Sequence, residues 1–402
     1  MKILQVAPEY PPHNIGGGGI VVQKISENMN KDNNITVVAG YYKAKSFFDK
    51  TNIEYKNGIK ITWLPLIPVL TLIPMLRANF QLETYMPPNI CSLRYLFNQI
   101  KNSDFDIIHL HGYGHFLTDY AGILCWIFKK KSILTVHGFP STPEKNGGIL
   151  KIIYDVYSRT LGRFALAHAT RITIVSRSLE EELVNKHKID RNKISIVPNG
   201  IDLDEYKNIK ESYEFREKYN ISRDSLLILS IGRLSWMKGF QYLIEAMPEI
   251  LKQRTDAKLV IIGNDGGYEA ELKNLIKKLD LDGKVILTGF FDNPIKGKAI
   301  KDADIFVIPS IIETFGLVSL EAMAVGKPIV STNVGGLKDI LKYDKNAILI
   351  NPENSHELSE AIKRLLIDEN ISSNLISNAI EDVKKYEWKK VSEYYINLFK
   401  YI

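Results

Sequence analysis

Glu313 and Glu321 flank Gly316 with seven residues between them, in the run Ser310 to Glu321 that reads S-I-I-E-T-F-G-L-V-S-L-E. Directly before it lies an apolar, strand-like segment, Ile305-Phe306-Val307-Ile308-Pro309. A strand that ends in a polar loop and passes into a helix near Gly316 is a geometry in which unpaired backbone amides meet an anion. An ionised carboxylate only accepts hydrogen bonds, so two glutamates beside such a seat fit a ligand that also offers hydroxyl groups. A nucleotide sugar carries both. The same spacing also arises by chance in a chain of 402 residues, so the surrounding motifs have to decide.

Two cations stand in a comparable place. Leu229-Ser230-Ile231 is followed by Gly232-Arg233-Leu234-Ser235-Trp236-Met237-Lys238-Gly239, which puts Arg233 and Lys238 between a buried-type strand and a helix pattern. A diphosphate suits the planar fork of an arginine and the point charge of a lysine; the other reading is a solvated pair in a loop. Near the N-terminus, Ala7-Pro8-Glu9-Tyr10-Pro11-Pro12 leads to Gly16-Gly17-Gly18-Gly19 and then to apolar Ile20, Val21, Ile25 and Met29. Contiguous glycines let amides approach a pyrophosphate, or form a flexible turn with no ligand. The dinucleotide fingerprint G-x-G-x-x-G is not met and no acidic residue closes the second strand, which makes a nicotinamide dehydrogenase a poor fit.

His109 and His111 end one strand pattern and His137 ends the next, in Thr135-Val136-His137-Gly138. Residues two apart on a strand share a face, so His109 and His111 point to one side, but a metal needs further ligands that no zinc-like spacing supplies. His137, followed by glycine, is the best placed for direct substrate contact. Cys91 and Cys125 are the only cysteines and carry no disulfide or C-x-x-C pattern.

The elements that must hold these residues alternate along the chain. Strand-like runs at Ile35 to Ala39, Ile59 to Leu64, Asp106 to Leu110, Ser132 to Val136, Arg171 to Val175 and Ile194 to Val197 are separated by helical patterns. After a charged, loop-like stretch, Asp202 to Arg223, the alternation restarts at Leu226 to Ile231, Lys258 to Ile262, Lys284 to Leu287, Asp304 to Ile308, Pro328 to Ser331 and Ala347 to Ile350. This predicts an α/β protein of two Rossmann-like doubly wound domains facing a cleft, with the seam near Val197 to Asp202. The expected domains are residues 1–202, 203–386, and a C-terminal amphipathic helix, 387–402, which packs back on the first domain through Trp388, Val391, Tyr395, Leu398 and Phe399.

Composition is that of a globular protein, with 45% apolar and 24% charged residues and no apolar run long enough to span a membrane. No signal peptide pattern opens the chain, so it reads as cytoplasmic. The net charge of +6 is uneven: residues 1–200 hold 24 Lys and Arg against 15 Asp and Glu, and the rest hold 28 against 31. Apart from Lys129-Lys130-Lys131 the basic residues are scattered and not interleaved with aromatics, so no nucleic acid is expected. The apolar segment Trp63 to Met75, broken by Pro65, Pro68 and Pro74 and followed by Pro87-Pro88, cannot be one regular helix. It suits either packing on the first sheet or contact with a bilayer or lipid carrier at the inner face of the cell membrane.

Taken in order, the glycine loop, Thr135 to Gly138, Val197-Pro198-Asn199-Gly200-Ile201-Asp202, Gly232-Arg233 with Lys238-Gly239, and Glu313 to Glu321 resemble the retaining glycosyltransferases of GT-B architecture called glycosyl transferases group 1. The likeness covers nearly the whole chain. It implies a hexosyltransferase that needs no metal and no cofactor, with the acceptor on the first domain and a UDP- or GDP-linked sugar donor on the second. By position, Glu313 would contact the transferred sugar and Glu321 the ribose. The amides of Phe315, Gly316, Leu317 and Val318 would meet sugar and phosphate beside Gly232. Arg233 and Lys238 would hold the diphosphate, Gly16, Gly17 and Gly18 would close over it, and His137 would lie by the reacting sugar. Four glycines stand where two are usual, which leaves open which pair acts. The acceptor is a carbohydrate, a lipid-linked group or a small molecule. The competing readings are an epimerase or phosphorylase on the same fold, or a nucleotide-sugar-binding protein without catalysis.

Overall fold

Runs of β-branched and aliphatic residues with no polar alternation form strands buried on both faces, as in a parallel sheet covered by helices. The computed structural model describes residues 1–13, 16–41, 49–67, 88–139, 155–210, 212–291 and 293–402. The chain divides into two compact units, one of Met1–Asn199 with Trp388–Ile402 and one of Gly200–Glu387.

In the first unit, β1 (Lys2–Ala7), β2 (Asn34–Tyr41), β3 (Asn52–Lys56), β4 (Ile59–Pro65), β5 (Ile107–His111), β6 (Ser132–Val136), β7 (Arg171–Ile174) and β8 (Ile194–Ile196) form one sheet. Its order is β3-β4-β2-β1-β5-β6-β7-β8. All pairs are parallel except β3 with β4. The edge strand β3 is exposed throughout and was missed by the sequence pattern, although its signal was there. Asn57 and Gly58 both have positive φ, which makes them the two-residue Asn-Gly turn that favours a hairpin.

The second unit holds β9 (Leu227–Ile231), β10 (Lys258–Ile262), β11 (Val285–Leu287), β12 (Ile305–Ile308), β13 (Ile329–Thr332) and β14 (Ile348–Ile350). They are all parallel, in the order β11-β10-β9-β12-β13-β14. The helix Phe240–Gln253 follows β9 and buries Leu243, Ile244, Met247 and Ile250, a spacing of one helical face. Each such side chain contributes about 1.5–3 kcal/mol relative to staying in water. The helices Ser355–Ile367 and Glu369–Val383 start where Asn354 and Asp368 accept hydrogen bonds from the first free amides.

The stretch Asp202 to Arg223, read from sequence as loop, contains two short helices, Leu203–Lys207 and Glu214–Lys218. Tertiary contacts hold them. Leu203 and Tyr206 are buried one turn apart, and buried Arg216 bonds Asp304 at 2.9 Å and the carbonyls of Asp302, Ser222 and Ser225. The C-terminal helix Trp388–Lys400 belongs to the first unit, burying Trp388, Val391, Tyr395 and Phe399 there, as its periodicity predicts. The proline-broken segment falls mostly on residues 68–87, outside the described residues. Among the described residues no helix is long and apolar enough to cross a membrane.

Candidate active site

In the second sheet the strand order reverses between β9 and β12, the switch point where ligands of doubly wound sheets bind. β9 leads into Gly232-Arg233 and β12 into Pro309–Glu313, so the two loops leave the sheet side by side. Ser230 Oγ donates to the carbonyl of Val307 at 2.6 Å, tying the strands just before they end. Beyond β9 a short turn, Trp236–Lys238, is fastened to the other loop by the Ile311 amide, which donates to Met237 O at 2.7 Å. Gly239 makes this approach feasible: its φ is +66°, and a Cβ there would lie 1.9 Å from the Pro309 carbonyl oxygen. The ammonium of Lys238 consequently reaches Glu313 Oε2 at 2.6 Å, with side chains 26% and 11% exposed.

Glu313 is also fixed from below. Gly336 N donates to Glu313 O at 2.9 Å, and Gly335 has φ +44° with no room for a Cβ, which would sit 1.9 Å from that same carbonyl oxygen. The helix Leu317–Val325 then starts at Gly316 without a side-chain cap. Its first amides, on Leu317 and Val318, have no acceptor among the described residues and form a ready seat for an anion. Phe315 is buried with its ring 6.3 Å from that of Tyr386.

One turn into this helix, Glu321 Oε1 accepts from Lys296 Nζ at 2.7 Å, and Oε2 is buried with no hydrogen-bond partner among the described residues. A carboxylate oxygen left unmatched in a sheltered place suits a ligand hydroxyl. The phenol of Tyr206 lies close: burial first, and the Glu321 charge second, push its ionisation far above the usual range. Asn293 Nδ2 donates to that phenol at 3.1 Å. Arg233 is half-buried, and its guanidinium has no hydrogen bond or ion pair among the described residues. Lys238 thus already has Glu313 as one partner, while Arg233 is available to an anion.

In the first unit β1 and β5 flank the corresponding reversal. The glycine loop after β1 opens the helix Gly17–Met29. Here a carboxylate of the protein already occupies the helix end: Gly16 N donates to Glu9 Oε2 at 3.2 Å and Gly19 N to Glu9 Oε1 at 3.0 Å. A phosphate reaching these amides has to displace Glu9. On the next strands the three histidines form one array. The rings of His109 and His111 lie 4.0 Å apart, His109 Nε2 meets Thr135 Oγ1 at 2.6 Å, and His111 Nδ1 meets His137 Nε2 at 3.2 Å. The C-terminal helix covers the array, with Tyr395 and Phe399 at 5.0 and 5.4 Å from His109. Burial pushes His109 down to about 3 and His137 to about 4 and holds His111 well below the usual imidazole range, with neighbouring histidines adding to it. Among the described residues no group of His, Cys, Asp and Glu could hold a metal ion.

Sequence reasoning passed over Lys296, Glu9, Gln5 and the pair Gly335-Gly336. The glycine pair following β13 was a visible signal of the same kind as Gly232. Lys296 had none, because only folding carries it to Glu321.

Residues 15–205 match the family model Glycosyltransferase Family 4, and residues 211–382 match Glycosyl transferases group 1. An uncharacterized glycosyltransferase of Methanocaldococcus jannaschii is 30% identical over 100% of this chain and 98% of its own length. The Escherichia coli UDP-Gal:alpha-D-GlcNAc-diphosphoundecaprenol alpha-1,3-galactosyltransferase is 29% identical over 81% of this chain and 83% of its own. The crystal structure of Anabaena HepE in complex with UDP-glucose superposes with a TM-score of 0.76 at 19% identity, covering 100% of both chains. The chain belongs to the glycosyl transferases group 1 family, with the GT-B fold. It is a glycosyltransferase that takes its sugar from a nucleotide sugar.

Proposed function

We propose that this enzyme transfers a hexose from a UDP- or GDP-linked donor to an acceptor hydroxyl with retention of anomeric configuration, in glycan or glycolipid synthesis. The bond from the anomeric carbon to the diphosphate oxygen breaks, the bond to the acceptor oxygen forms, and the acceptor proton passes to the leaving phosphate. The observation that carries this reading is the Lys238–Glu313 pair at 2.6 Å, together with the Arg233 guanidinium and the Leu317 and Val318 amides, which have no hydrogen-bond partner among the described residues. Negative charge grows on the diphosphate as an oxocarbenium-like sugar departs, and cations fixed in advance where charge develops lower that barrier. Arg233 and Lys238 meet the diphosphate, Gly232 lets the backbone pass close, and the amides of Phe315, Gly316, Leu317 and Val318 line the phosphate and sugar. Glu313 accepts from hydroxyls of the transferred sugar and Glu321 from those of the ribose. His137 contacts a substrate hydroxyl, and Gly16, Gly17 and Gly18 are the first unit's phosphate seat once Glu9 withdraws.

A UDP-linked donor is favoured by the Escherichia coli relative, whose name specifies UDP-Gal, and by the Anabaena protein solved with UDP-glucose. Turnover of the matched donor in Lys238→Ala and Glu313→Ala tests the assignment; near wild-type rates in both would remove it. Release of nucleoside diphosphate that depends on an acceptor separates transfer from epimerase, phosphorylase and binding-only readings.

Contact with an anionic membrane face, which a lipid-linked acceptor would require, is supported by one surface of the first unit at the amino end of β6, the opposite strand end from His137. Trp126 and Ile127, each 51% exposed, lie beside Lys129, Lys130 and Lys131. An aromatic and aliphatic pair next to cations suits an anionic headgroup layer. Co-sedimentation with anionic vesicles at low salt, weakened by Trp126→Ala, is the expected result, and no sedimentation removes this part of the reading.

A further inference from the structure

His137 does not stand alone: it ends a hydrogen-bonded chain that begins on β1. Gln5 is fully buried, with its amide nitrogen toward the sulfur of Met29 at 3.8 Å and its carbonyl oxygen 2.6 Å from His111 Nε2. His111 Nδ1 in turn lies 3.2 Å from His137 Nε2, with the two rings nearly parallel at 13°. His137 Nδ1 is buried and has no hydrogen-bond partner among the described residues.

The polarity of this chain follows from what each atom can do. An amide oxygen only accepts, so His111 Nε2 carries the proton. A neutral imidazole has one N–H, so His111 Nδ1 is bare and accepts. His137 Nε2 must then donate to it, which leaves His137 Nδ1 as a buried lone pair and an unmet acceptor. The rings are neutral because burial disfavours their charged forms.

We infer that Gln5 and His111 are positioning residues that lock His137 in the Nε2–H tautomer, so that its Nδ1 accepts a hydrogen bond from a substrate hydroxyl and donates none. The inference rests on His137 as a substrate contact and adds the sense of that contact. An unmet buried acceptor is unfavourable in the free enzyme and is relieved when a hydroxyl donates into it, so the chain favours a ligand with a hydroxyl at that point over a deoxy analogue. His109 is outside this chain, because its Nε2 pairs with Thr135.

The test is nitrogen-15 NMR of the histidines together with kinetics of Gln5→Met, a swap of similar size that removes the acceptor. In the wild-type protein His137 should show the Nε2–H pattern, and its Nδ1 signal should shift when the nucleotide-sugar donor is added. In Gln5→Met the His137 tautomers should mix and kcat/KM should fall about tenfold, with binding of the nucleoside diphosphate alone unchanged. Met29→Leu, which leaves the Gln5 oxygen in place, should keep the tautomer. A wild-type His137 protonated on Nδ1 overturns the inference, and this spectrum decides even where Gln5→Met fails to fold. An unchanged tautomer and rate in a folded Gln5→Met overturn it as well. A wild-type Nε2–H pattern whose Nδ1 signal ignores the donor upholds the chain and instead removes His137 as a substrate contact.

Discussion

Lys238 Nζ lies 2.6 Å from Glu313 Oε2 although 75 positions separate the two residues. Each follows a different strand of the second sheet, and the adjacency of β9 and β12 brings them together. With side chains 26% and 11% exposed the pair is largely sheltered, so desolvation offsets much of its Coulomb gain, while loss of one partner leaves the other charge uncompensated. In the proposed reaction Lys238 is also a cation fixed beside the leaving diphosphate. Removing one fixed donor from a developing anion costs about 10²–10³ in kcat. Lys238→Ala should therefore lose turnover by that order and also lower the melting temperature by leaving the Glu313 carboxylate unpaired, as read by steady-state kinetics beside calorimetry.

Gly335→Ala should act on Glu313 from behind. At φ +44° with a Cβ only 1.9 Å from the Glu313 carbonyl oxygen, the alanine must push the loop away. Backbone strain of this kind costs about 1–3 kcal/mol, and each kcal/mol lowers the melting temperature by about 2–4 °C in a unit of this size. Calorimetry showing no loss, with turnover intact, would mean that the loop relaxes without moving Glu313.

Glu9 holds the amides of Gly16 and Gly19 that a phosphate would use. Glu9→Ala should lose about 1 kcal/mol of helix capping. If the glycine loop meets phosphate, the same change should tighten the binding of an anionic ligand to the enzyme. Isothermal titration with nucleoside diphosphate and with the intact donor checks this, and weaker binding in the variant would show Glu9 itself to be part of the seat.

The pH dependence of stability should have two opposing parts in the first unit. Burial lowers His137 and His187 to about 4 and His109 to about 3, so below about 6.5 the unfolded chain takes up protons that the folded one refuses. Stability contributed by these rings is complete above the unfolded value and is lost as pH falls through 6.5 toward 4. Asp119 runs the other way: burial raises it to about 7, partly offset by Tyr157, whose hydroxyl donates to both its oxygens at 3.1 and 3.0 Å. Its share is present below the unfolded carboxylate value and is lost as pH rises through 7. These rings, with His111 lowered in the same sense, outweigh one carboxyl, so unfolding free energy should fall from pH 6.5 to 5, and Asp119→Asn should stabilise most at pH 8. Denaturant titrations across that range measure both slopes, and a flat profile would mean these groups are reached by water.

Much of this architecture was written into local pattern. Short apolar runs such as Ile305 to Ile308 and Leu259 to Ile262 suit strands buried on both faces, and their alternation with helical periodicity points to doubly wound sheets. The period of Trp388, Val391, Tyr395 and Phe399 marked a helix with one buried face. Residue chemistry marked Arg233, Lys238, Glu313 and Glu321, since cations and carboxylates at strand ends lie where such sheets bind ligands. Pattern could not say which of those charges face each other, because pairing depends on strand order and loop contact across many positions. Only the fold joined Lys238 to Glu313 and Lys296 to Glu321, left the Arg233 guanidinium without a partner among the described residues, set Glu9 on the glycine loop, and ran Gln5 through His111 to His137. Short-range periodicity determines which face of an element is buried; long-range packing decides what meets there.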